Sequence, residues 1–181
     1  MKKTAAFCAL FLLSLPAMAN PGLGQQGKET PPSPPAKAMF KFADGKTITV
    51  DYSSPHMRGR KIFGDLVPYG KVWRAGANEA TTFVTDTNLI VGGKDVPAGS
   101  YTLFTLPTPD KWTLIISKKT GEWGIPYPGN EFDFAHMDMK VSTLSSPLEN
   151  FTISFDQVGT SCTMKLDWET TRASIDITRK Q

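Results

Sequence analysis

Five cations, Arg58, Arg60, Lys61, Lys71 and Arg74, fall within 17 residues that hold a single acid, Asp65. A guanidinium offers a planar fork of donors, so such a cluster can clamp a carboxylate, sulfate or phosphate. The same groups can instead satisfy the backbone carbonyls of a loop too irregular to pair its own. The end of the run is chemically richer. Gly76 permits a tight backbone path and gathers Arg74, Asn78 and Glu79 just ahead of a β-type segment. Arg74, Asn78 and Glu79 together could bind sugar hydroxyls, or Arg74 and Glu79 could pair internally and fix the loop.

A second segment, Lys118 to Asp138, carries Trp123, Tyr127, Phe132 and Phe134 among Gly121, Gly124, Pro126, Pro128 and Gly129. Aromatic faces held on rigid turns suit a carbohydrate or peptide platform, and they also suit a loop that pins itself over an apolar edge. Both segments, at 26 and 21 residues, exceed the roughly 12 to 15 residues usual for a structureless loop. Long loops on a β scaffold are where binding and catalysis concentrate.

Signatures of known enzymes are absent. The chain has no G-x-S-x-G, no H-E-x-x-H and no CxxC, and Gly45-Lys46-Thr47 lacks the upstream glycine of a phosphate loop because position 40 is Phe40. Glu131, Asp133, His136 and Asp138 form a weak metal-type spacing with only two histidines in the chain, so neither a metal nor another cofactor is expected. Glu79 with Asp133 or Glu131 could serve as a carboxylate pair for glycoside hydrolysis if the fold brought them together.

The elements that must carry these groups are strands. Phe40 and Phe42 lead into an Asp44-Gly45 turn, after which Ile48, Val50 and Tyr52 alternate with polar residues, the pattern of a hairpin with one buried face. Further strands are expected at Thr81 to Thr85, Asn88 to Val91, Tyr101 to Leu106 and Lys111 to Ser117. Three alternating runs, Phe151 to Phe155, Cys162 to Trp168 and Ala173 to Ile177, read as an antiparallel meander. No sustained helical period occurs. The expected fold is therefore all-β, an antiparallel β-sandwich or jelly-roll-like barrel with two long irregular loops.

From Ser54 through Val67-Pro68-Tyr69-Gly70-Lys71-Val72-Trp73-Arg74-Ala75-Gly76-Ala77-Asn78-Glu79-Ala80-Thr81-Thr82-Phe83, the chain resembles the bacterial exported family catalogued as domain of unknown function 2911. The likeness continues through Val96-Pro97-Ala98-Gly99-Ser100-Tyr101-Thr102-Leu103-Phe104 and Trp112-Thr113-Leu114-Ile115, covering most of residues 45 to 178. It implies a secreted or periplasmic β domain, and it supplies neither an activity nor a set of catalytic residues.

Export is also expected from the N-terminus. Lys2 and Lys3, the apolar run Phe7 to Leu15, and Ala17-Met18-Ala19 have the order of a cleavable signal peptide over residues 1–19. That run is far shorter than the ~20 residues of a spanning helix, and Asn20 stands where a lipoprotein would need cysteine, so no membrane anchor is expected. Cleavage would remove Cys8 and leave Cys162 alone, excluding an internal disulfide, and would lower the net charge from +3 to +1. A nearly neutral chain gives no reason to expect nucleic acid as a partner.

Residues 20–37, ending in Pro31-Pro32-Ser33-Pro34-Pro35, have the composition of a disordered tether, and residues 38–181 remain for one β domain. Cys162 shares the parity of Met164, Leu166 and Trp168 and reads as a core thiol. The expected function is noncatalytic binding of a glycan, a peptide or a small anion by Arg58, Arg60, Lys61, Trp73, Arg74, Asn78, Glu79, Trp123 and Tyr127. The alternatives are a hydrolase acting on an envelope or extracellular polymer, and a purely structural envelope module.

Overall fold

A computed structural model describes residues 33–180. The expected signal peptide and all of the tether before Ser33 lie outside these residues. The chain forms β1 (Pro35–Lys41), β2 (Thr47–Ser53), β3 (Thr81–Thr85), β4 (Leu89–Val91), β5 (Lys94–Val96), β6 (Gly99–Pro107), β7 (Trp112–Ser117), β8 (Asp133–Val158) and β9 (Ser161–Arg179). All nine lie in one antiparallel sheet, in the order β1-β2-β3-β6-β7-β8-β9-β4-β5. The sheet does not close, so the barrel form of the expectation is corrected: β1 and β5 are its two free edges.

Period-two patterning builds the core. Ile48, Val50 and Tyr52 of β2, Phe83 of β3, Leu103 of β6, Leu114 and Ile116 of β7, and Met137 and Met139 of β8 bury one face of the sheet. β8 and β9, at 26 and 19 residues, form one long hairpin. Its register breaks near Leu148, and Glu169 opposite takes φ 54. These irregularities bend the hairpin. Its first part continues the sheet from β7, while its second part packs over β1 and β2. Phe155 there meets Phe40 at 6.1 Å between ring centroids, Phe151 meets Tyr52 at 5.7 Å, and the Tyr52 hydroxyl accepts from the amide of Ile153 at 3.1 Å.

Three boundaries differ from expectation. The runs 162–168 and 173–177 are one strand rather than two members of a meander. Residues 169–172 hold no Gly or Pro, so the chain passes through a bulge without turning. The irregular segment after β7 ends at a 3-10 turn, Asn130–Phe132, and the part from Asp133 to Asp138 belongs to β8. Residues 35–37, expected in the tether, pair with Ser53, Tyr52 and Asp51. Pro35 opens an edge strand, where a missing amide proton costs no ladder bond.

Candidate functional site

The segment 54–79 closes the end of the sheet beyond β2 and β3, and it obeys strand parity where it touches β6. Trp73 and Thr105 exchange both backbone hydrogen bonds at 2.7 Å. Trp73 thereby points inward, stacks on Trp168 at 5.9 Å, meets Phe63, Trp112 and Phe151 edge-on, and donates Nε1 to the Gly76 carbonyl at 3.1 Å. It is a partly buried side chain packed against the core. Arg74, one residue on, points to the opposite, outer face.

There the second irregular segment folds down over a small apolar cluster of Ala80, Phe104 and Ile115, with Val72, Leu106 and Tyr127 at its border. Arg74 donates Nη1 to the carbonyl of Trp123 at 2.9 Å, and its guanidinium carbon sits 5.4 Å from the centroid of the Trp123 ring. Burial holds the Arg74 pKa below its ordinary value. Gly124 has φ +80, and a Cβ on it would lie 2.9 Å from Ala80, 3.1 Å from Arg74 and 3.3 Å from Phe104. Only glycine lets the backbone pass this close. Trp123 itself remains 55% exposed.

Tyr127 packs edge-on against Phe104 at 5.1 Å and donates its hydroxyl to Oδ2 of Asp133. The same oxygen lies 2.6 Å from Nε2 of His136. A carboxylate oxygen accepts, so Nε2 carries the proton and Nδ1 is left without a bond to the described residues. The Asp133 side chain is only 6% exposed, and its Oδ1 is buried without a hydrogen-bond partner. Burial, and then the carboxylates of Asp133 and Glu131, push the Tyr127 pKa far above the tyrosine range.

Residues 133 and 136 are three apart and would point to opposite faces of a regular strand. They share a face because Ile116 pairs with Ala135 while Ser117 pairs with Asp133, leaving Phe134 as an extra residue in a bulge. This array of Tyr127, Asp133 and His136 was invisible to strand patterning. The sequence shows Asp133 and His136 together only as part of the weak metal-type spacing with Glu131 and Asp138, without Tyr127 as their partner.

The chain belongs to the DUF2911 family. The family model, described as a protein of unknown function, matches residues 33–177. No curated protein and no solved structure matches the chain.

Within this DUF2911 domain, the residues singled out from sequence separate into groups. Arg74 meets Trp123 on the outer face, and Tyr127, bordering the same apolar cluster through Phe104, meets Asp133, which also bonds His136. Asn78, at φ 58, bonds the Ser33 carbonyl and the Ser53 hydroxyl, and so fixes the entry of the chain into β1. Exposed Glu79 lines a separate cavity of about 190 Å³ beside Asp51 and Tyr52. It makes no ion pair with Arg74 among the described residues.

Arg60 donates to the carbonyls of Met57 and His56 at 2.9 and 2.8 Å, the backbone role weighed for this cluster. Arg58, at φ 51, is tied through its amide to Glu149 at 2.8 Å, and Lys61 is exposed. Among the described residues no three metal-ligating side chains gather. Asp138 pairs with Lys111 at 2.9 Å instead. Cys162 is buried, and its thiol is pushed up to about 12, first by burial and then by the charge of Asp176.

Proposed function

We propose that this is an exported domain that binds a polar ligand, a glycan or a peptide, on its outer face without transforming it, with Trp123 as the anchor. The supporting observation is that Trp123 is exposed and yet held: Arg74 grips its carbonyl and covers its ring, and Gly124 seats the next residue tightly on the sheet. An aromatic face fixed in advance loses little entropy when a sugar ring or peptide stacks on it. Calorimetric titration with panels of glycans, peptides and small anions tests this. Trp123→Ala should weaken the best ligand at least tenfold while the protein stays folded, its melting temperature falling by no more than the loss of the Arg74 contact with the ring. Failure of the wild-type protein to bind any of the panel, or unchanged affinity in Trp123→Ala, rules the reading out and leaves the structural-module alternative.

The Tyr127–Asp133–His136 array favours a second reading, hydrolysis of an envelope or extracellular polymer. Asp133 would hold the His136 imidazole in one tautomer, leaving Nδ1 to take a proton from water. Turnover of polymeric glycan or ester substrates that is abolished in His136→Ala and retained in Trp123→Phe would support this reading over pure binding.

A further inference from the structure

Neither reading uses the cationic part of the 54–79 segment. We propose that this segment is a membrane-surface contact, docking the domain onto a lipid surface rich in anionic headgroups.

The segment is a built knob. Ile62, Phe63 and Val67 are sunk in the core, while the turn between them is closed by Gly64 donating to Val67 at 2.9 Å and Val67 donating to Ile62 at 2.9 Å. Gly64, at φ +86, lies under the Tyr69 ring, where a Cβ would come within 2.8 Å. The knob thus presents Leu66, 44% exposed, and Tyr69, 41% exposed, from a fixed backbone.

The same segment carries Arg58, Arg60, Lys61 and Lys71, all exposed, with the Arg60 guanidinium turned to the carbonyls of Met57 and His56. No ion pair among the described residues includes any of them. Asp65 is the one acid within the run itself, and Glu149 is engaged by the Arg58 amide at 2.8 Å. Cations flanking a tyrosine and a leucine match the two layers of a bilayer surface, with charge meeting headgroup phosphates and the amphipathic ring at the interface.

The chain enters the domain beside this segment: the Pro34 carbonyl accepts from Ser54 at 2.8 Å, and Ser33 is held by Asn78.

Co-sedimentation of the full chain with vesicles tests the proposal, using phosphatidylcholine alone and phosphatidylcholine with roughly a third phosphatidylglycerol. Because every variant carries the same N-terminal segment, differences between variants report the knob. The expected result is binding that prefers the anionic vesicles, weakens as salt rises, and falls roughly a hundredfold in the double variant Lys61→Glu, Lys71→Glu. Leu66→Ser should weaken binding by a smaller factor, and thermal unfolding should confirm that all variants are folded.

Equal binding of the wild-type chain to both vesicle types overturns the proposal, as does wild-type binding in the double variant. So does displacement by millimolar inorganic phosphate that itself binds the chain in calorimetry, since that identifies a free-phosphate site. If the lysines prove to determine vesicle binding while Trp123→Ala changes nothing there, the knob stands independently of the outer-face ligand site.

Discussion

Tyr127 and His136 meet on one oxygen of Asp133, a carboxylate whose other oxygen is buried without a partner. In addition to the bond from Arg74 to the Trp123 carbonyl, the Asp133 end of the loop segment before β8 is therefore fastened through one buried acceptor. Tyr127→Phe removes one of its two donors and should lower stability by about 1–3 kcal/mol, the usual cost of leaving a buried polar group short of a partner. Urea denaturation measures this. A Tyr127→Phe midpoint equal to wild type would mean that the hydrogen bond contributes nothing.

Alkaline pH should destabilise the fold, and the sign follows from two groups. Cys162 rises from 9.0 to about 12, and Tyr127 is raised above its ordinary 10.0. In each case the folded state keeps the proton that the unfolded chain gives up. Stability from these groups is complete below pH 9 and is lost as pH climbs from 9 toward 12, at about 1.4 kcal/mol per pH unit for each group titrating only in the unfolded state. Cys162→Ala should flatten the lower part of that decline. Denaturation midpoints between pH 8 and 11 for wild type and variant check the slope.

Arg74 holds the aromatic segment by a charge-assisted hydrogen bond and by its position over Trp123. Arg74→Ala should cost about 1–2 kcal/mol, reduced from the buried value because the guanidinium remains partly solvated, and should shift Trp emission to the red. Arg74→Lys keeps the charge without the fork and should recover only part of the loss. Proteolysis within residues 118–132 should quicken in the Ala variant. Unchanged cleavage and fluorescence would show that Gly124 and Tyr127 suffice to seat the segment.

Strand patterning foretold much of this scaffold and little of the site, for reasons visible in particular residues. Thr81 to Thr85 alternates cleanly and is a strand with those bounds, and Lys111 to Ser117 is off by one residue. Edge strand β5, Lys94–Val96, is too short to show a period. Only the Phe151 to Phe155 part of β8 is legible, because Ser142 to Asn150 is mostly polar and contains Pro147, although the chain stays extended through its register shifts. Arg74, Trp123 and Tyr127 are legible from residue type, and of these Arg74 and Trp123 are in contact. Asp133 and His136 stand out in the sequence only as part of a weak metal-type spacing, and their pairing with Tyr127 is hidden because a one-residue bulge, which leaves no mark in composition, decides which face each occupies. The cationic run was legible as charge, while its attachment through Ile62, Phe63 and Val67 required the tertiary fold.

Glu169 offers a test of the bend that folds β8 and β9 back over the core. It occupies φ 54 between the buried Trp168 and the exposed Thr170, and a non-glycine residue there is strained by its Cβ. Its carboxylate makes no ion pair among the described residues, so the side chain offers little compensation. Glu169→Gly should therefore stabilise the protein by a few tenths to about 1 kcal/mol, because the relieved strain exceeds the added entropy of the unfolded chain. Glu169→Val, with branching at Cβ, should destabilise it. The opposite ranking in thermal melts would show that residue 169 does not keep its left-handed conformation in solution, and that the bend is set by the register shifts around Leu148 alone.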